Sequence, residues 1–294
     1  MSQKKILAGD IGGSHFTLAL FEEKGTELNL LQTERHVLDS KLPKEEILQQ
    51  WVLSLKKYTK GNPGLCISLA MPAPFDYEKG VCWIKEQGKF NSLFGCDLKT
   101  EFSQGLGIPR SQIKFINDAE AFLFGEAHFG KGFGFTNLLG ITLGSGLGSA
   151  IKQGDILFDA DLWQSPLKGG IAEDYLGTGW FLKLVKNKFG LELKGVKDLL
   201  DHETLQPEIP VIFDIYAKNL SEFILSVYAK VPFEAVIIGG NISLSSALFV
   251  PKLLEHLRDA TADIVIEISQ LGELSTIYGA TSLFFEARSE RASN

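Results

Sequence analysis

The sequence predicts an α/β protein with two sheet-containing halves. Three observations carry this expectation. Short apolar runs of strand length alternate with longer segments whose apolar residues recur at helical spacing. A unit of apolar run, polar residue, glycine turn and second apolar run opens the chain at residues 6–21 and returns at 137–151. The composition is that of a globular chain: 294 residues, 45% hydrophobic and 22% charged, with 30 glycines and 10 prolines. That length suffices to bury a substantial core, in one large domain or two medium ones.

The elements follow in order. Residues 6–10 and 16–21 read as strands around the Gly12-Gly13 turn, the pattern of a hairpin, and 28–37 as a third strand. Pro43-Lys44-Glu45-Glu46 marks a helix start, with Leu48, Trp51, Val52 and Leu55 on one face. Residues 65–69 form a strand that runs into Met71-Pro72-Ala73-Pro74; a helix near 98–106 and a strand at 113–116 come next. In the second half, 137–143 and 147–151 are strands about Gly144-Ser145-Gly146. Residues 174–231 are mainly helical, and Leu220, Phe223, Ile224 and Val227 make an apolar stripe that is read as core. A buried-type strand at 235–238, a helix at 243–260, a strand at 263–268 and a closing helix at 274–288 complete the chain. No Pro/Ser linker separates the halves. The boundary is expected near residues 117–125, giving domains of 1–117 plus 275–294 and of 118–274.

Charge and cysteine usage narrow the function. Acidic residues number 36 against 29 basic ones, a net charge of −7, which disfavours a nucleic-acid or anionic-membrane binder. The three cysteines, Cys66, Cys82 and Cys96, are odd in number and widely spaced. They exclude a disulfide framework and a CxxC zinc ribbon, and they fit a reducing compartment. The apolar run after Lys4-Lys5 stops at Asp10, too soon for a signal peptide, and no apolar stretch has bilayer-spanning length. A soluble cytoplasmic protein is expected.

Four short segments carry chemistry. In Asp10-Ile11-Gly12-Gly13-Ser14 a carboxylate ends a strand and two glycines follow, free to adopt positive φ and to let a ligand approach the backbone. Successive N–H groups of such a turn form an anion nest, beside which Asp10 would hold a Mg²⁺, directly or through water. An ordinary hairpin turn with a surface Asp fits the same residues. In Thr142-Leu143-Gly144-Ser145-Gly146-Leu147-Gly148 three glycines alternate between two strands, and no helix pattern follows, so it is not the dinucleotide fingerprint. Two such turns in corresponding places suit a polyphosphate held from both sides of a cleft. Gly239-Gly240-Asn241 follows a third apolar strand and would let a flat ring lie on the backbone; any strand-to-helix turn looks similar. Asn117-Asp118 ends an apolar strand before a helix. There an Asp can accept a proton from an attacking hydroxyl while the Asn amide orients the same substrate; N-capping by Asp118 is the other use of that position.

Together, the DIGGS turn at 10–14, the INDA segment at 116–119, the TLGSGLG turn at 142–148 and the IIGGN turn at 237–241 resemble, in identity and order, the ROK family of sugar kinases. That family belongs to the actin-like ATPase/hexokinase superfamily. The resemblance implies two ribonuclease-H-like domains, each a mixed five-stranded sheet with helices, closing over sugar and ATP. It implies that Gly12, Gly13 and Ser14, with Thr142, Gly144, Ser145 and Gly146, serve the phosphates, that Gly239, Gly240 and Asn241 flank the adenosine, and that Asp10 assists Mg²⁺. It makes Asp118 the general base and Asn117 a ligand of the sugar hydroxyls, and it suggests a homodimer. A winged-helix repressor relative is a poor match, because the chain opens on the phosphate strand and is acidic.

Two departures from the family pattern stand out. The family's CxCGxxGCxE zinc cluster has no counterpart, since no Cys or His lies between Gly130 and Asp201; no zinc is expected there. Glu173 still matches the family's sugar-binding glutamate, while Asp161 stands loosely where an earlier one would be, with Gln164 at the histidine place. A polar surface loop accounts for Asp161 equally well. Asn91 is a further sugar candidate. The expected activity is transfer from ATP to a glucose-like hexose at O6. An N-acetylamino-sugar acceptor, polyphosphate as donor, or a weakly active sugar or nucleotide sensor are the alternatives.

Overall fold

A computed structural model describes residues 4–62, 64–86, 88–260 and 263–285. It divides into two compact units, residues 1–128 with 273–294 and residues 129–272. The division falls after His128 rather than at Asn117, because the helix following Asn117 packs within the first unit.

In the first unit, β1 (Lys5–Ile11), β2 (His15–Lys24) and β3 (Glu27–Val37) form an antiparallel meander. Next come α1 (Lys44–Thr59), β4 (Cys66–Met71), a small hairpin of β5 (Phe75–Asp76) and β6 (Val81–Cys82), α2 (Leu98–Leu106), β7 (Ile113–Asn117) and α3 (Asp118–Phe129). The sheet order is β3-β2-β1-β4-β7, and β1, β4 and β7 run parallel. Alternation along the strands supplies two apolar faces. Leu7, Ile11, Leu18, Ile67 and Leu69 pack beneath Trp51 and Leu55 of α1 and Phe102 of α2. The other face carries small side chains, Ala8, Ala19 and Ala70, against Ala121 of α3 and, from the chain's return, Ile277 and Ala280.

The second unit repeats the plan. It begins with β8 (Asn137–Leu143), β9 (Leu147–Gln153) and β10 (Ile156–Asp159), then β11 (Pro166–Leu167) and β12 (Gly170–Ile171). There follow α4 (Ala172–Leu176), α5 (Thr178–Phe189), α6 (Val196–Asp201), α7 (Ile209–Tyr228), β13 (Ala235–Gly239), α8 (Ser246–Asp259) and β14 (Val265–Ile268). Its sheet order is β10-β9-β8-β13-β14, again a meander joined to two parallel strands. The expected mixed five-stranded sheets flanked by helices are therefore present in both units. The stripe of Leu220, Phe223, Ile224 and Val227 on α7 is buried, around a fully enclosed Tyr216 whose hydroxyl donates to Leu176 O at 2.9 Å.

Besides the two-residue strands β5, β6, β11 and β12, which no pattern marks, three further elements differ from expectation. Strand β10 is not legible in the pattern, because it is a four-residue edge strand paired with β9 alone. The helix expected from residue 243 begins at Ser246, after a 3-10 turn over Asn241–Ser245. The closing helix, α9 (Leu274–Ala280), gives way to a 3-10 turn over Thr281–Leu283; residues 286–288 of the expected helix lie outside the described residues. Cys66, Cys82 and Cys96 are free thiols, and burial raises the pKa of each.

Helix α9 returns to the first unit and crosses α3 at backbone contact. A Cβ on Gly125 would overlap the Ser275 carbonyl, and one on Gly279 would overlap that of Ala121. The Ser275 hydroxyl donates to Glu126 Oε1 at 2.5 Å inside this crossing, and the Ser68 hydroxyl of β4 donates to Ala280 O. We expect Gly279→Ala to cost about 3 kcal/mol or more in chemical denaturation, because backbone rather than a flexible side chain must move. Gly179→Ala, on α5 with open space around its Cα, should leave stability unchanged or raise it slightly.

Candidate active site

The first unit gathers its polar residues at the carboxyl ends of β1, β4 and β7, where the parallel strands of open α/β sheets expose side chains to ligands. Parallel register aligns Asp10 with Ala70, and Met71 with Asn117. The Gly12–Gly13 turn is closed by Gly12 N–H donating to His15 O at 2.9 Å, and braced by Ser40 N–H on Gly13 O at 3.3 Å. Neither glycine takes the positive φ expected of them. Close approach explains them instead: a Cβ on Gly12 would lie 3.1 Å from His15 O, and one on Gly13 would touch Ser40 Oγ and the stem of Lys89. Ser14 is exposed and lies 3.1 Å, Oγ to Nδ1, from His15.

Asp10 is partly open to solvent, and its carboxyl is pushed up to about 7. Burial is the main cause, followed by the negative charges of Asp118 and then Glu273; Lys89 and Arg35 oppose them. Arg35 is engaged with Glu273, 2.8 Å from each carboxylate oxygen, and His15 Nε2 is 3.8 Å from the same group.

Asn117 and Asp118 divide the work expected of them differently. Asn117, not Asp118, caps α3 across its first turn: its Oδ1 accepts from Ala119 N at 2.8 Å and Glu120 N at 3.0 Å. Its Nδ2 donates to Tyr77 OH at 3.1 Å, which in turn donates to Met71 O at 3.1 Å. Asn117 is buried and Asp118 partly exposed, one carboxylate oxygen of Asp118 accepting from Ala119 N at 2.9 Å. Asn91 is exposed and opens a 3-10 turn over Asn91–Leu93 that is anchored by buried Leu93. Its loop is tied to the glycine turn through Ser40, whose carbonyl accepts from Phe90 N at 2.9 Å.

The second unit brings its two glycine turns together. Gly239 pairs with Thr142 in parallel register. Gly240 has φ 84°, and a Cβ there would collide with the Leu143 backbone, so only glycine fits. Asn241 is exposed at the start of the 3-10 turn. Gly144 stands in open space, its N–H donating to Gly146 O at 3.1 Å. Its carbonyl accepts from both Thr178 N and Thr178 Oγ1 at 2.8 Å. Glu173 reaches this same turn: its Oε2 accepts from Leu147 N at 2.9 Å and fills the space a Cβ on Gly146 would need. Ser145 lies between, its carbonyl close to Gly177. Asp161 stays apart, at φ 48°, in an exposed turn where it accepts from Trp163 Nε1 at 2.6 Å.

Sequence reasoning passed over Lys89, Arg35, Glu273, Thr178 and Tyr77. Only Lys89 had a local signal, a cation two residues before Asn91; the others reach the site through sheet register and helix packing.

Residues 6–160 match the sequence profile of the ROK family, more than half of the chain. The chain belongs to the ROK family. The match contains Asp10, the glycine turns at 12–13 and 144–146 and the Asn117-Asp118 pair. A glucokinase of Thermotoga maritima is 25% identical over 151 residues, covering 51% of this chain and 45% of that protein; the match thus spans less than half of the relative. Among solved structures, a ROK family glucokinase from Streptomyces griseus, in complex with glucose and AMPPNP, superposes with a TM-score of 0.74 at 19% identity, covering 96% of this chain and 99% of that one. A ROK hexokinase from Thermus thermophilus gives a TM-score of 0.75 at 18% identity, over 94% and 96%. At these identities the superpositions establish a shared fold.

The raised Asp10 carboxyl sets a pH dependence. The folded state holds a proton up to about pH 7 that the unfolded chain releases near 3.8, so stability falls as pH rises through that window. In metal-free buffer, Asp10→Asn should match the wild type below pH ~4. It should exceed it above pH ~7 by ~2 kcal/mol, after allowing for solvent at this half-open site. Thermal melts across that range check this.

Proposed function

We propose that this ROK protein transfers the terminal phosphoryl group of ATP to a hexose, at O6 of a glucose-like sugar. The observation that carries the reading is the pairing of Asp10 with Asp118 at one sheet edge, close enough that each charge bears on the other, in a family member that keeps both glycine turns. Asp118, partly exposed at the start of α3, takes the proton of the attacking hydroxyl. Asn117 fixes Asp118 through the helix cap and offers its remaining amide N–H to the sugar. Asn91, Glu173 through its Oε1, and Asp161 are the further candidate sugar contacts; Asp161, engaged with Trp163, is the weakest of them.

The donor set suits a magnesium nucleotide. Asp10 is a carboxylate under negative pressure from Asp118 and Glu273, which a divalent cation relieves. Among the described residues no three His, Cys, Asp or Glu side chains gather into a metal-holding group, and Mg²⁺ commonly takes one carboxylate plus phosphate and water oxygens. When bound with ATP, the ion neutralises phosphate charge. On this reading Gly12, Gly13, Ser14, Thr142, Gly144, Ser145 and Gly146 offer backbone and hydroxyl groups to phosphate, and Gly239, Gly240 and Asn241 leave room for the adenosine. Most of the acceleration then comes from holding hydroxyl and phosphorus in line. Among the described residues no helix is long and apolar enough to cross a membrane, and the same reading has the protein act in the cytoplasm as a homodimer.

An ADP-release assay over glucose, mannose and their N-acetylamino counterparts, with ATP or polyphosphate, tests the reading. Glucose with ATP should turn over. Asp118→Asn should keep the fold and sugar affinity and lower turnover roughly 10²–10⁴-fold; near-normal turnover removes Asp118 from the role of base. Sugar binding without turnover on any substrate would make the protein a sensor.

A further inference from the structure

The loop of residues 88–91 holds a cation that the motifs do not account for. Lys89 is partly buried, and its aliphatic stem lies along the phosphate turn: a Cβ on Gly13 would be 3.4 Å from Lys89 Cδ and 3.5 Å from Lys89 Cβ. The next residue holds this placement. Phe90 is a fully buried non-glycine residue with φ 55°, ψ 19°, a left-handed conformation that an aromatic residue takes only when its surroundings enforce it. Its ring packs 5.6 Å, centroid to centroid, from Trp51, and its N–H donates to Ser40 O at 2.9 Å. Ser40 N–H in turn binds Gly13 O. One strained residue therefore sends Lys89 towards the turn and leaves Asn91 exposed on the same loop.

The charges around this edge are mostly negative: Asp10, Asp118 and Glu273, with Arg35 already engaged by Glu273. Lys89 makes no hydrogen bond or ion pair with any other described residue. Its charge still bears on Asp10. A phosphate approaching this edge meets acidic repulsion that backbone N–H dipoles offset only in part, and a compact ammonium on a flexible stem is suited to reach it. A neutral sugar gains no comparable advantage from the same group.

We propose that the Lys89 ammonium is a direct ligand of the donor's terminal phosphate, reaching it across the Gly12–Gly13 turn. This rests on the reading of the protein as an ATP-dependent kinase, and it adds a side-chain cation to a cradle otherwise made of backbone. Calorimetry on the full chain tests it with three probes, inorganic tripolyphosphate, the β,γ-imido analogue of ATP, and AMP, each over a range of salt. Lys89→Met should weaken tripolyphosphate and the analogue at least tenfold and flatten their salt dependence. AMP and glucose affinity should not change. Lys89→Arg should restore most of the loss, and both variants should melt as the wild type does. Undiminished tripolyphosphate affinity in Lys89→Met overturns the inference, as does an equal loss of AMP affinity or a loss confined to glucose. If the wild type turns over hexose and ATP while Lys89→Met binds all probes normally, only the role of Lys89 falls. A wild type that binds neither analogue nor tripolyphosphate removes the kinase reading and this inference together.

Discussion

The first unit depends on one contact, the backbone-to-backbone crossing of α3 and α9. Gly125 and Gly279 each leave no room for a Cβ, so the axes are held at a distance that no other residue pair would permit. The small side chains beneath, Ala8, Ala19 and Ala70, let α9 settle onto the sheet. The site inherits its geometry from this. Asp118 begins one of the two helices and Glu273 directly precedes the other, so the crossing bears on how near two carboxylates come to Asp10. A looser crossing would relax the electrostatics before it disturbed the strands.

Charge at the Asp10 edge is arranged as a near-balance. Three carboxylates face two cations, and one cation is spent on an ion pair with Glu273. Bringing like charges together at a partly desolvated strand end costs stability, which is the usual condition of a place kept ready for a charged ligand rather than for the fold. Among the described residues the second unit shows no such crowding around Gly144. Its turn is steadied by neutral donors, Thr178 above all, and by the single carboxylate of Glu173.

How much of this could be read from the residues varies with distance along the chain. The hairpins, the parallel strands and the stripe on α7 were legible because each is local in period and bounded by turn residues. Strand β10 was not, because a short, half-exposed segment becomes a strand only by pairing with β9. Asp10, Asp118 and the glycine turns were legible as strand-end residues. Their reasons were less so: Gly12 and Gly13 are glycine for close approach and not for a left-handed backbone, and Asn117 rather than its neighbour caps α3. Glu273 and Arg35 are 238 residues apart, and only the return of α9 makes them one feature beside Asp10. The family match covers residues 6–160, and Asn91 and Asp161, which rest on single loosely placed loop residues, had the least support.

Glu173 has a consequence of its own. Its carboxylate rests on the Leu147 N–H, against Gly146, so an internal anion already occupies part of the turn that an external one would use. An anion from outside that claimed this donor would have to displace Glu173 first. The turn and the glutamate thus behave as a plug and its socket.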